Sequence, residues 1–136
     1  MSNLNFDDAG KLVLRLTLGI LILLHGIAKL TGGIGGIEGM LIARGLPAFF
    51  AWGAYVGEVL APLLVIIGVY TRIGGLLIAI NMIVAVVLVH MGHFWDMTNS
   101  GGWSLELQAM FLFGGVAVAL LGAGRFSVGG RGGAYN

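Results

Sequence analysis

Lys11-Leu12-Val13-Leu14-Arg15-Leu16-Thr17-Leu18-Gly19-Ile20-Leu21-Ile22-Leu23-Leu24-His25-Gly26-Ile27-Ala28-Lys29-Leu30 is apolar except at Thr17 and four ionisable side chains. A helix needs ~20 such residues to cross ~30 Å of hydrocarbon, so residues 10–30 read as a membrane span. Three further stretches, about 49–69, 73–90 and 103–123, read the same way. The whole chain has 136 residues, 58% of them hydrophobic and 10% charged. Its mean hydropathy is +1.00, whereas a soluble domain carries ~25% charged residues. The expected fold is all-α: an integral membrane four-helix bundle forming one domain over residues 1–128, followed by a Gly-rich flexible tail at 129–136.

Residues 1–8 are polar and lack the basic n-region and small-residue cleavage site of a removable leader, so the first span is expected to stay in place. Net charge is +1 with no basic run, which argues against a nucleic-acid partner. There is no cysteine. Disulfides, thiol catalysis, thiolate metal ligands and covalent haem attachment are therefore excluded within this chain, and sulfur redox chemistry would need a partner or a small molecule.

Gly19 and Gly26 lie seven apart on one face of the first span, where small residues let helices approach; Gly114-Gly115 and Gly122-Ala123-Gly124 offer the same in the fourth. Pro62 removes the backbone bond that residue 58 would accept, which predicts a local distortion at Glu58. After the turn Thr31–Gly36, the spacing of Ile37, Met40, Leu41 and Arg44 predicts a short amphipathic segment on the membrane surface. Trp95 and Trp103 are expected at an interface. Near the span ends, Lys11, Arg15, Arg72, Arg125 and Arg131 fall on one side and Lys29 and Arg44 on the other. The richer side is expected to be cytoplasmic, which places both termini there.

Nine polar or ionisable side chains interrupt the apolar spans or sit at their edges: Arg15, His25, Lys29, Glu58, Asn81, His90, His93, Glu106 and Gln108. A charge near a helix centre costs ~2.5–3.5 kcal/mol on insertion scales, so groups retained there are candidates for function. With a rise of ~1.5 Å per residue, Arg15 falls ~7 Å inside the cytoplasmic boundary and Glu58 near the midplane, a gap of ~8–10 Å that an extended arginine could largely bridge. His25, Lys29, His90, His93, Glu106 and Gln108 collect towards the outer side, with Trp103 beside them. Asn81, central in its span, is expected to donate an interhelical hydrogen bond. Imidazole and carboxylate donors suit iron, copper or zinc. A hydrogen-bonded cluster or a headgroup site is the leading expectation here, with a metal or haem site the lesser alternative.

Arg15 followed by Gly19, then His25-Gly26-Ile27-Ala28-Lys29-Leu30, a Gly-rich loop and Gly57-Glu58 resemble the DoxX family of small four-helix bacterial membrane proteins. Gly68-Val69-Tyr70-Thr71-Arg72 and Gly122-Ala123-Gly124-Arg125-Phe126-Ser127 fit the same pattern, so the resemblance runs from Val13 to Val128. One departure is Val128-Gly129, where the family's closing segment often continues with Leu-Asp. The resemblance implies the bacterial cytoplasmic (inner) membrane and a role in redox chemistry. One branch of the family is associated with thiosulfate:quinone oxidoreduction, and other members with membrane-bound oxidative-stress complexes.

The function expected is a redox-associated subunit that binds a quinone or small reducible substrate in an outward-facing polar pocket, with partner oxidoreductase subunits or further copies of itself. His25, Lys29, His90, His93, Glu106, Gln108 and Trp103 would hold the substrate. Glu58 with Arg15 would relay or balance protons as the catalytic pair, and Trp52, Phe94, Trp95 and Trp103 would form apolar walls. Two other classes compete: a small oligomeric transporter or channel using Glu58, and a non-catalytic membrane scaffold.

Overall fold

A computed structural model describes residues 6–136. Phe6–Gly32 forms α1, with Asp7 and Asp8 in its first turn and Lys29 in its last. Both ends thus carry charges that complement the helix dipole. The helix stops where Gly33 takes φ +82°. A short helix, α2, spans Gly35–Ala43. The next two elements are composite. Ala48–Ile67, here α3, opens after Pro47 as a 3₁₀ turn and passes through a wide π turn at Val56–Leu60. Thr71–His93, here α4, has a second π turn at Val86–His90 and ends in a 3₁₀ turn. Glu106–Leu121 is α5.

α1, α3 and α4 are long and apolar enough to cross a membrane, and α5 is a shorter apolar helix. Its 16 residues rise ~24 Å. The fold is therefore a membrane helical bundle. α5 begins at Glu106, three residues later than expected, because Trp103 is bridged to Met97 and its indole Nε1 donates to the Phe94 carbonyl at 2.6 Å. α2 is a further correction. Its apolar residues run round the helix and do not form one face, and Leu41 is buried against Ile34 and Ala51.

The core brings one pair of side chains from each long element to the axis: Leu18 and Ile22, Ala61 and Val65, Ile78 and Met82, Phe111 and Val118. Between α4 and α5 the backbones themselves meet. A Cβ on Gly75 would fall 2.6 Å from the Gly115 carbonyl oxygen, and one on Gly115 would fall 2.7 Å from that of Gly75. At Gly26 the approach is closer, since a Cβ there would lie 2.0 Å from the Glu58 carbonyl oxygen. Backbone cannot swing aside as a side chain can. Gly26→Ala is therefore expected to force α1 from α3 and cost ~1–3 kcal/mol, read as a lower unfolding midpoint in detergent by size exclusion after heating. An unchanged midpoint would show that the two helices do not meet there.

At the end of the bundle where α1 begins, Arg15 is 1% exposed. Its guanidinium donates to the carbonyls of Val65 at 2.9 Å, Ile66 at 3.0 Å, and Ala123 and Phe126 at 2.9 Å each. It neutralises the carbonyls that α3 and the segment after α5 leave without helical donors. Gly68 has φ +81°, and a side chain there would meet the Arg15 guanidinium at 2.6 Å.

The Gly-rich segment 129–136, expected as a flexible tail, is docked. The Asn136 carbonyl accepts from Ala123 N–H at 2.6 Å. Its side chain accepts from the Thr71 hydroxyl at 2.8 Å and donates to the Gly130 carbonyl at 2.6 Å. Arg131 pairs with the buried Asp8 carboxylate. Arg72 completes this end by donating to the carbonyls of Ala119 and Leu120.

Candidate functional site

At the opposite end, the two π turns flank a cavity of about 880 Å³. In the turn at Val56–Leu60 the Ala61 N–H reaches the Val56 carbonyl, five residues back. Pro62 follows and has no N–H for Glu58, as the sequence predicts. The Glu58 carbonyl instead faces the bare backbone of Gly26. Insertions of this kind recur at functional sites because one extra residue re-aims the side chains around it.

The Glu58 carboxylate meets the Lys29 ammonium at 2.7 Å, with the two side chains 9% and 28% exposed. This overturns the expected pairing of Glu58 with Arg15. A buried arginine has a planar fork of N–H donors, and four carbonyls, two from the end of α3 and two from the segment after α5, occupy it at the other end of the bundle. Lys29 also lies close to Glu58 because the Gly26 contact brings α1 against α3 one turn earlier. In hydrocarbon such a pair is favoured over either charge alone.

The cavity wall includes His25, Lys29, Glu58, Asn81, His90 and Gln108. His25 stands edge-on to Phe111 with ring centroids 5.9 Å apart. His90 Nε2 and Gln108 Nε2 are 3.4 Å apart. Asn81 packs onto Gly57, where a Cβ would fall 2.4 Å from its Cβ and Cγ. The interhelical bond expected of Asn81 is not made: its Nδ2 and the Oε1 of Gln108 are buried with no hydrogen-bond partner. An unpaired buried amide group costs ~1–3 kcal/mol, and such groups in a cavity wall suit a ligand that completes them.

Five of the nine expected site residues thus gather: His25, Lys29, Glu58, His90 and Gln108. The other four lie outside the wall. Arg15 holds helix ends; His93 is exposed and pairs with Asp96 at 2.9 Å; Glu106 is exposed in the first turn of α5; Trp103 braces its own loop. The expected aromatic walls of Trp52, Phe94, Trp95 and Trp103 are replaced by Ile22, Leu41, Phe50, Leu77, Leu88 and Phe111. Among the described residues no three His, Asp or Glu side chains converge as metal ligands do. Asn81 was visible in the sequence as a lone amide within an apolar span, but its lack of a partner was not.

Fold and cavity define a class: a helical membrane protein that keeps a mostly apolar pocket with a few convergent polar groups inside the bundle. The family model described as DoxX matches residues 10–91, more than half of the chain, and the chain belongs to the DoxX family. The match ends before α5, so the family resemblance of residues 92–128 rests on the sequence motifs. The chain is also 36% identical over 84 residues to the Bacillus subtilis (strain 168) protein named "Putative oxidoreductase CatD", an overlap covering 62% of this chain and 62% of that protein. No solved structure matches the chain.

Proposed function

We propose that this protein is a redox-associated subunit of the bacterial inner membrane whose pocket binds the headgroup of a quinone. The observation that carries the proposal is the pair of partnerless polar atoms, Asn81 Nδ2 and Gln108 Oε1, in one cavity wall with the Lys29–Glu58 pair. A quinone presents carbonyl acceptors when oxidised and hydroxyl donors when reduced, and it takes up two electrons and two protons between those states. Asn81 Nδ2 and the Lys29 ammonium supply donors for the first form. Gln108 Oε1 and the Glu58 carboxylate supply acceptors for the second. His90, beside Gln108, and Glu58 are the groups able to pass protons to and from the headgroup. The electrons belong to a partner oxidoreductase, a role consistent with the name of the Bacillus subtilis relative. With the termini cytoplasmic, as the Lys and Arg distribution predicts, the pocket lies in the outer half of the membrane.

Asn81→Leu separates a ligand role from a structural one. A side chain with no protein partner for its amide nitrogen contributes no interhelical bond, so the variant is expected to unfold at the wild-type midpoint or slightly above it. Its quinone isotherm in lipid nanodiscs is expected to weaken at least ~10-fold, the loss of about one buried hydrogen bond. A wild-type isotherm in this variant would remove the pocket from consideration. Native mass spectrometry of gently extracted protein would report bound quinone and partner subunits in the same sample.

A further inference from the structure

The rim of the pocket lies on the flank of the bundle. Phe50 and Val56 on α3 and Ile80 and Val84 on α4 line it, each between 42% and 52% exposed. Both helices are membrane-crossing by length and composition, so this flank faces hydrocarbon. α3 and α4 are in close contact at Gly74, against Ala61 and Val65, and again at Gly57, against Asn81. The pocket begins where that contact ends.

The end of the pocket nearer water is roofed. Ile37, Met40 and Leu41 of α2 form part of its wall. The Arg44 guanidinium, immediately after α2, donates to the carbonyls of Val87 at 3.2 Å and Leu88 at 2.6 Å. These carbonyls belong to the second π turn, where the helical bonding pattern is shifted. Arg44 therefore satisfies backbone groups of α4 and ties the roof down at once. A molecule arriving from water would have to displace that tether, whereas one arriving from lipid meets only apolar side chains.

We infer that the pocket is loaded sideways from the bilayer, through an opening between α3 and α4. Its ligand is a lipid-soluble molecule with a small polar head and a long apolar tail. The head passes Val56 and Val84 to reach Asn81, Lys29 and Gln108, and the tail remains along the exposed flank. This rests on the quinone-binding proposal and adds the route and the tail.

The test uses the full chain in lipid nanodiscs and two naphthoquinones. One carries an isoprenoid tail and is supplied in the lipid; the other is sulfonated, tail-less and supplied in water. Val84→Trp narrows the side opening, and Met40→Trp crowds the roof, with folding of each checked by size exclusion. The expected result is binding of the tailed quinone alone, with loading slowed at least ~10-fold by Val84→Trp and little by Met40→Trp, because a bulky group blocks only the path it stands in. Equal binding of the sulfonated quinone, or slowing by Met40→Trp but not by Val84→Trp, would overturn the side route and leave the quinone pocket standing. Failure of the wild type to bind either quinone would overturn the pocket proposal itself, and the side route with it.

Discussion

Arg15→Leu is expected to destabilise the bundle by at least ~3 kcal/mol. The guanidinium serves the carbonyls of Val65, Ile66, Ala123 and Phe126, drawn from the end of α3 and the segment after α5, which also meet through the backbone bonds of Val128 N–H to the Ile67 carbonyl and Gly129 N–H to that of Gly68. Leucine leaves these acceptors without donors at the end of a bundle where little water reaches them. Arg15→Lys is expected to restore only part of the loss, because an ammonium is a compact charge with three donors and cannot span four acceptors in a planar fork. Thermal unfolding of both variants in one detergent measures the difference. Full recovery by lysine would mean that the positive charge alone, acting on the helix ends, holds this part together.

The Lys29–Glu58 pair predicts a different pattern. Lys29→Met leaves a carboxylate of 9% side-chain exposure without its partner, at an expected cost of ~3–5 kcal/mol. The double variant Lys29→Met with Glu58→Leu removes both charges. It is expected to unfold within ~1 kcal/mol of wild type, because pairing and desolvation largely cancel. Quinone binding is expected to be lost in both. Stability restored without binding would assign the pair to the ligand. Binding restored in the double variant would make the ion pair a device of the fold alone.

The helical membrane fold was legible because a bilayer penalises exposed backbone so strongly that apolar stretches of sufficient length become helices. The distortion at Glu58 was legible too, from the proline four residues on. The second π turn was not, since Val86-Val87-Leu88-Val89-His90 contains no Pro or Gly. The partner of that turn is Arg44, more than forty residues earlier. The docked segment 129–136 was missed for a related reason. Glycine-rich composition reports a chain free to adopt many conformations, and says nothing of Asn136 finding Ala123, Thr71 and Gly130.

Within the site, depth placed most of the polar groups at one level, but depth is one coordinate of three. Helix order and rotation about each axis decide which of these groups face one another. They turned Glu58 to Lys29, gave Arg15 the carbonyls at its own end instead of Glu58, and left His93 and Glu106 outside the wall.

By itself the sequence determined that this is a multi-pass helical membrane protein, that buried ionisable groups interrupt its helices, and that no thiol chemistry resides in it. Those properties follow from composition and from position along the chain. Only the tertiary structure decided which charges pair, which amides remain without partners, and that the cavity wall is mostly apolar. Such properties depend on how helices are rotated and packed, and here that packing turns on bare backbone contacts such as Gly26 against Glu58 and Gly75 against Gly115.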